Sequence, residues 1–342
     1  MKFKIFSIIL MFIIVFSACE KIAFDKKAEN SNISNFNYLW EQVNQKYAFL
    51  EYKNVDWDSI YVAYRPLISN DISEDSLFTV MGKMLNELKD GHVNLISPFN
   101  ISRYDITMLG PVNINMRLIK ENYLLDNYYS TGSFVHNFIR NGDIAYIRYS
   151  SFADSQITDY ELDFLIEKYK DTKGMIIDIR QNGGGYVTNV PMLLSRFTHE
   201  DTKIYETQIK TGVGKDNFSV LEDVIIKSND KKKYNKNLAV LIDRGSYSAS
   251  SFFAVSTYAY DNIFLVGDYT GGGLGLPNGG QLANGWPYRF SITRTIAIDG
   301  KNYENGVKPD YYIILNPNLN AIDNVIEFAA DKLLENNKIS KL

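Results

Sequence analysis

One cysteine in 342 residues, Cys19, excludes intrachain disulfides and any chemistry that needs a pair of thiols. Histidine is almost as scarce. His92, His136 and His199 lie far apart, with no H-x-x-x-H pair and no Cys cluster, so no ligand set for a structural or catalytic metal is expected. Long basic runs are absent: the nearest, Lys231-Lys232-Lys233, sits in a polar stretch. With 36 basic against 40 acidic residues the net charge is −4, which gives no footing for nucleic-acid binding. No Gly-Lys-Ser/Thr follows a glycine turn and no G-x-G-x-x-G spacing occurs, so neither a phosphate loop nor a bound cofactor is implied. The apolar run at 5–16 is too short to span a bilayer.

What is present describes a packed protein at a membrane. Hydrophobic residues make up 45% of the chain and aromatics 14%, enough for one large α/β domain with a smaller attached unit. Lys2 and Lys4 precede the run at 5–16, and Ser17-Ala18-Cys19 follows, the pattern of a signal peptide over residues 1–18. Its end resembles a bacterial lipobox. That resemblance implies cleavage before Cys19, lipidation of Cys19, a polar tether over 19–34 and a lipid-anchored place in the bacterial cell envelope.

Apolar residues at three- and four-residue steps (Phe36, Leu39, Trp40, Val43, Tyr47; then Trp57 and Ile60; then Leu77, Val80, Met81, Met84, Leu85 and Leu88) predict a small helical cap over 35–95. It ends in Lys89-Asp90-Gly91-His92, where the glycine is expected to turn the chain and aim His92. His136 and His199 are expected at the surface. Val112, Ile114, Met116 and Leu118 alternate like a strand, and 123–129 reads as a second one. About fifty residues separate His92 from the next strong strand, too few for a comfortable peptide-binding PDZ module. Strands at 144–149, 175–180, 238–242, 263–266 and 289–298 alternate with helices at 159–170, 187–197 and 321–334, which predicts an α/β core over 96–340.

Two turns in that core carry chemistry. Gly245-Ser246-Tyr247-Ser248-Ala249-Ser250-Ser251 joins an apolar strand to a small, aromatic segment at 252–260. A strand, a tight turn and a helix can lift a serine hydroxyl beside helix N-terminal N–H groups, which makes Ser248 a candidate nucleophile. The same residues fit a turn whose serines only cap the helix. Gln181-Asn182-Gly183-Gly184-Gly185 likewise links a strand to a helix and presents backbone donors, suited to an oxyanion.

In order and spacing these pieces resemble the tail-specific, C-terminal-processing serine peptidases, and their tricorn-like branch in particular. The matching segments are DWDSIYVAYRP, DGH at 90–92, IAYIRYSSF, IIDIRQNGGG, LIDRGSYSASSFFA, VGDYTGGG and ENGVKPD. The resemblance implies a ClpP/crotonase-like α/β core, Ser248 as nucleophile, and the amides of Ala249 and of Gly183 or Gly184 as oxyanion donors. The lysine base of the better-known branch would fall on Gly273, so the base implied here is His92. Its orienting glutamate matches Glu304, acting directly, through water or through Asp90. The serine expected just before the histidine is Gly91. A membrane-anchored endopeptidase acting on extended polypeptides is the implied function. The alternative is an inactive lipoprotein that binds a peptide or small lipophile on the same fold, as the retinoid-binding proteins of the eye resemble it.

Overall fold

The computed structural model describes residues 29–106, 110–319 and 321–335. The expected signal segment, Cys19 and most of the expected tether lie outside the described residues. Helix α1 (Asn32–Lys46) starts ahead of the apolar pattern that begins at Phe36. Ser31 Oγ accepts from Ser34 N–H, and Ser34 Oγ accepts from Ser31 N–H, a reciprocal cap that fixes the first turn. Asp56 caps α2 (Trp57–Tyr64) and Ser73 caps α3 (Glu74–Asn86) in the same way at one end. Strands β1 (Asn94–Ile96) and β2 (Ile101–Arg103) follow.

The two strands expected between 112 and 129 do not form. Asn115 Oδ1 accepts from the N–H groups of Arg117 and Leu118 and so starts helix α4 (Met116–Ile119), which continues as a π-turn over Lys120–Leu124. Leu118, Ile119, Tyr123 and Leu124 are then buried along a helical face instead of alternating. The chain continues through β3 (Tyr129–Thr131), β4 (Phe134–Ile139), β5 (Ile144–Tyr149), α5 (Asp159–Tyr169), β6 (Gly174–Asp178) and α6 (Asn189–Leu194). Next come β7 (Thr202–Ile209), β8 (Glu222–Ile226), β9 (Leu238–Ile242), α7 (Ala249–Ser256), β10 (Ile263–Gly267), β11 (Pro277–Gln281), β12 (Pro287–Ser291), β13 (Thr293–Ala297), β14 (Tyr311–Tyr312) and α8 (Asn324–Leu334). Among the described residues, 93–143 hold only these short elements and no PDZ module.

The main sheet has the order β14-β10-β9-β6-β5-β4-β3, parallel from β14 to β5 and antiparallel at β4 and β3. Both faces are covered, which is why its central strands read as unbroken apolar runs. Met175, Ile177, Leu238, Val240 and Ile242 pack in one core with residues of α5, α6 and α7, while Ile176, Ala239 and Leu241 pack in another with α8. The stretch read as one strand over 289–298 divides at Ile292. Its first part, β12, joins a four-stranded sheet (β11-β12-β1-β2), and its second, β13, a three-stranded one (β13-β7-β8). Leu282, Trp286, Tyr288 and Phe290 from the β11–β12 hairpin pack into the core of α1 and α3, so the helical cap is completed by chain from the far end of the sequence.

His136 departs from the surface position expected of it. It is buried on β4, where its ring meets the Tyr169 hydroxyl at 2.7 Å and Thr131 Oγ1 at 2.9 Å, and burial pushes its pKa down to about 4. It is a core histidine whose two nitrogens are satisfied. His199 is exposed and bonded to Asn235.

Candidate active site

Ser248 stands between the carboxyl end of β9 and the first turn of α7. Its backbone is left-handed (φ 57°, ψ −118°), a conformation that costs a non-glycine residue about 1–3 kcal/mol and persists only where neighbours enforce it. The enforcement is visible. Asp243, buried after β9, accepts from Gln181 N–H, Gln181 Nε2 and Gly245 N–H, tying the serine turn to the glycine turn after β6. Ser246 Oγ donates to the Ile179 carbonyl, Ser250 Oγ to the Asn182 carbonyl and Ser251 Oγ to the Ser246 carbonyl. These three serines are fully buried fasteners. Ser248 is half-exposed, and its Oγ lies 2.9 Å from His92 Nε2.

The glycine turn sorts its own donors. Asn182 is buried, and its Oδ1 accepts from Gly184 N–H at 3.0 Å and from Phe152 N–H at 3.2 Å. The Gly184 amide is therefore committed. Gly184 has φ +94°, and a Cβ there would lie 2.6–2.9 Å from Tyr247 O, Ser248 Cβ and Ala249 N, so only glycine lets the two turns touch. Gly183 faces open space and lines the groove beside Ser248. Of the two glycines singled out by sequence, the geometry favours Gly183 as the available donor. Ala249 N–H, at the N-terminus of α7, is the other.

His92 is aimed by its own turn, although not as expected. The left-handed residue after α3 is Lys89 (φ 47°), and Gly91 is not in that region. Gly91 is small because space is short: a Cβ would meet Ile106 Cγ2 at 2.5 Å and the Tyr247 ring and hydroxyl at 3.2 Å. Asp90 Oδ1 accepts from His92 N–H at 2.8 Å, holding the turn. On the ring's far side the Gly275 carbonyl faces the imidazole as an acceptor. A carbonyl can only accept, and Nε2 faces Ser248 Oγ, so this contact fits the tautomer that has its proton on Nδ1 and its lone pair toward Ser248. Burial is the main cause holding the His92 pKa below its ordinary value. Asp90 opposes that shift, and Arg289 adds to it.

Behind the histidine lies a buried polar cluster that local sequence patterns did not disclose beyond Asp90 and Glu304. Asp90 accepts from the hydroxyls of Tyr47 at 2.8 Å and Tyr247 at 3.1 Å. Lys53 Nζ stands 3.8 Å from both Asp90 Oδ2 and Glu304 Oε1. Burial alone would raise the Asp90 pKa, but the charges of Lys53 and His92 and the hydrogen bonds from His92 N–H and the Tyr47 hydroxyl together hold Asp90 below the usual carboxylate range. Glu304 goes the other way: burial, then the Asp90 charge, push it up to about 8. Its carboxylate accepts from Leu274 N–H at 2.7 Å, and the Gly275 amide is a further donor to it. Glu304 thus grips the Leu274–Gly275 segment that lies beside His92. Ser291 completes the set, its Oγ 3.4 Å from His92 Nδ1, Asp90 Oδ2 and the Gly275 carbonyl.

A groove of about 730 Å³ passes His92, Ser248 and Gly183, and its lining includes the apolar Phe252 and Leu276 and the charged Arg103 and Arg289. At the position of the missing lysine, a Cβ on Gly273 would lie 2.4 Å from Tyr247 Cζ, so the tyrosine ring occupies that space.

Residues 143–313 match the family model Peptidase family S41, and residues 29–86 match the Tricorn protease C1 domain. A Parabacteroides merdae ATCC 43184 protein of known structure, for which a peptidase assignment is proposed, is 33% identical. It superposes with a TM-score of 0.85 over 91% of this chain and 100% of its own. The carboxy-terminal processing protease CtpA of Bacillus subtilis (strain 168) is 22% identical over 210 residues, 60% of this chain and 41% of that protein. CtpB of the same organism is 25% identical over 172 residues, 50% of this chain and 34% of its own. The chain thus spans less than half the length of these two curated relatives. The family match takes in the strands and turns that carry Gly183, Ser248 and Glu304, and by that match and the 33% identical structure the chain belongs to peptidase family S41.

Proposed function

We propose that this chain is a serine endopeptidase acting on extended polypeptides. The observation that carries the reading is the 2.9 Å approach of His92 Nε2 to Ser248 Oγ on a strained elbow. In the proposed reaction Ser248 Oγ attacks a peptide carbonyl while Nε2 takes its proton, and the carbonyl oxygen becomes an anion held by the N–H groups of Gly183 and Ala249. Collapse of this tetrahedral intermediate breaks the C–N bond. His92 gives the proton to the departing amine, and water then attacks the acyl-enzyme by the reverse sequence. Asp90, Ser291 and the Gly275 carbonyl keep the imidazole in the productive tautomer, and Glu304 positions that carbonyl through the Leu274 and Gly275 amides. The depressed His92 pKa supports the role, since the base is neutral at pH 7.

The reading includes lipid anchorage at Cys19 in a bacterial envelope, which incorporation of an alkyne fatty acid into wild type but not Cys19→Ala would support. The activity test is labelling by a fluorophosphonate probe. Wild type is expected to be labelled at Ser248 and to cleave unfolded polypeptide, and Ser248→Ala to do neither. His92→Ala is expected to lose about a thousandfold or more in rate. A wild-type protein that takes no label and cuts nothing would favour the binding-protein alternative.

A further inference from the structure

The charged lining of the groove is mainly basic. Asn94 of β1 lies directly opposite Arg289 of β12 on one flank and opposite Arg103 of β2 on the other. Residues directly opposite in antiparallel strands project to the same face, so the three side chains form a row across the small sheet. The alternation agrees: Leu95, Tyr288 and Phe290 turn to the helical core, while Arg103 and Arg289 are exposed in the groove that holds Ser248 and His92. Neighbouring strands are about 4.8 Å apart, so the two arginine Cα atoms stand about 10 Å apart, a span that two long side chains can close on one small anion. Asn94 Oδ1 accepts from Arg289 Nε at 2.6 Å, which sets one edge of that guanidinium and leaves its two terminal nitrogens outside the bond. Asp105 is the one acid among the described residues lining the groove, and it offsets part of the positive charge.

We propose that Arg103 and Arg289 form a subsite for a carboxylate of the polypeptide substrate, in the groove beside the cleaved bond. This rests on the peptidase reading above. Planar guanidinium forks match a carboxylate in two-bond geometry, which a lysine pair would not. The carboxylate comes either from an acidic side chain or from a free chain end, and the two are separable by experiment.

The full-length protein is given a defined mixture of synthetic tetradecapeptides, each as free acid and as amide, and cleavage is followed by mass spectrometry. If an acidic side chain is the source, bonds at one fixed distance from an Asp or Glu are cut about tenfold faster than their Asn or Gln counterparts. If the chain end is the source, free acids are cut about tenfold faster than amides. In Arg103→Gln/Arg289→Gln protein the operative ratio is expected to fall toward one. Ratios near one in wild type, or ratios unchanged in the variant, overturn the subsite. Fluorophosphonate labelling of Ser248 run alongside keeps the two claims apart. Labelling with a lost ratio speaks to the subsite, whereas a wild type neither labelled nor active refutes the peptidase reading and the subsite with it. If the glutamine variant fails to label, Arg103→Lys/Arg289→Lys, which keeps the charge and loses the fork, is expected to show an intermediate ratio.

Discussion

Replacing Lys53 by methionine removes the one cation placed between two buried carboxylates, and the structure sets the size of the effect. At 3.8 Å and an effective dielectric of about 20, the attraction of Lys53 for ionised Asp90 is roughly 4 kcal/mol. Below pH 8 Glu304 is mostly protonated and adds little. Removing one partner of a buried pair typically costs about 3–5 kcal/mol, and a loss of about 3 kcal/mol at pH 7–8 is expected. The pH dependence gives the reasoning a sign. In wild type the folded Asp90 pKa is lowered, so its contribution is present above the unfolded value and is lost only in acid. Without Lys53 one of the main causes lowering that pKa is gone, so the folded variant takes up a proton at higher pH than wild type does as pH falls. The stability gap between the two proteins should therefore be widest at pH 8 and narrow toward pH 5. Urea unfolding followed by tryptophan fluorescence measures it, since Trp40, Trp57 and Trp286 all sit in or against the core beside this cluster. A gap under about 1 kcal/mol at pH 8, or one no smaller at pH 5, would refute the electrostatic account.

Glu304→Gln should flatten part of the wild-type pH dependence. With the folded pKa at about 8, Glu304 stabilises the fold below about pH 4.5 and loses that contribution as pH rises through 8, at up to about 1.4 kcal/mol per pH unit, a slope that urea titrations at successive pH values should show missing in the variant. The kcat/KM of the proposed peptidase should rise through a pKa below 6.5, because burial disfavours the charged His92; a limb at or above 6.5 would contradict this. Ser291→Ala should cost about fivefold in kcat/KM and move that limb, since it removes a hydroxyl shared by His92 Nδ1 and Asp90; a lowered melting temperature with an unmoved limb would mean a packing role alone. Gly184→Ala should cost about 2 kcal/mol or more and abolish Ser248 labelling, whereas Gly183→Ala, facing open space, should unfold near the wild-type midpoint.

The parts of this site that were legible in sequence are those with a local signature. The serine turn announces itself because an unbroken apolar strand runs into small residues and then a helix. His92 stood out because so few histidines were available. Lys53, Tyr47, Tyr247 and Ser291 have no such signature. Each is an ordinary polar or aromatic residue whose meaning comes from a partner dozens to hundreds of positions away, such as Asp90 for Tyr47 and Ser291. The segment from 112 to 129 failed for a different reason: its apolar residues fit either period, and a single capping side chain, Asn115, decided for the helix. Ile292 conceals the division of β12 from β13, because apolar and polar residues alternate on both sides while the sheet they join changes. His136 shows the reverse error, since a histidine flanked by apolar strand residues is better read as a satisfied core residue than as a surface one.

The two departures from the resembled pattern, Gly91 and Gly273, share one neighbour, Tyr247. A Cβ at Gly273 would lie 2.4 Å from the Tyr247 ring, and one at Gly91 would lie 3.2 Å from it, after meeting Ile106 Cγ2 at 2.5 Å. Tyr247 thus fills the volume that a serine before the histidine and a lysine after β10 would each need in part. What it supplies in exchange is specific. Its hydroxyl donates to Asp90 at 3.1 Å, and its ring centroid lies 5.0 Å from that of His92. Tyr47 secures the other Asp90 oxygen, and Ser291, arriving from β12, places a hydroxyl between Asp90 and Nδ1 where Gly91 has none. The carboxylate that addresses the imidazole is therefore Asp90, two residues before it, held down by a lysine from the cap. Glu304 is left as the group that fixes the Leu274–Gly275 backbone. The polar support of His92 is thereby distributed over α1, the turn after it, β12 and the Glu304 loop, so the proposed chemistry depends on the helical cap and the sheet being assembled together.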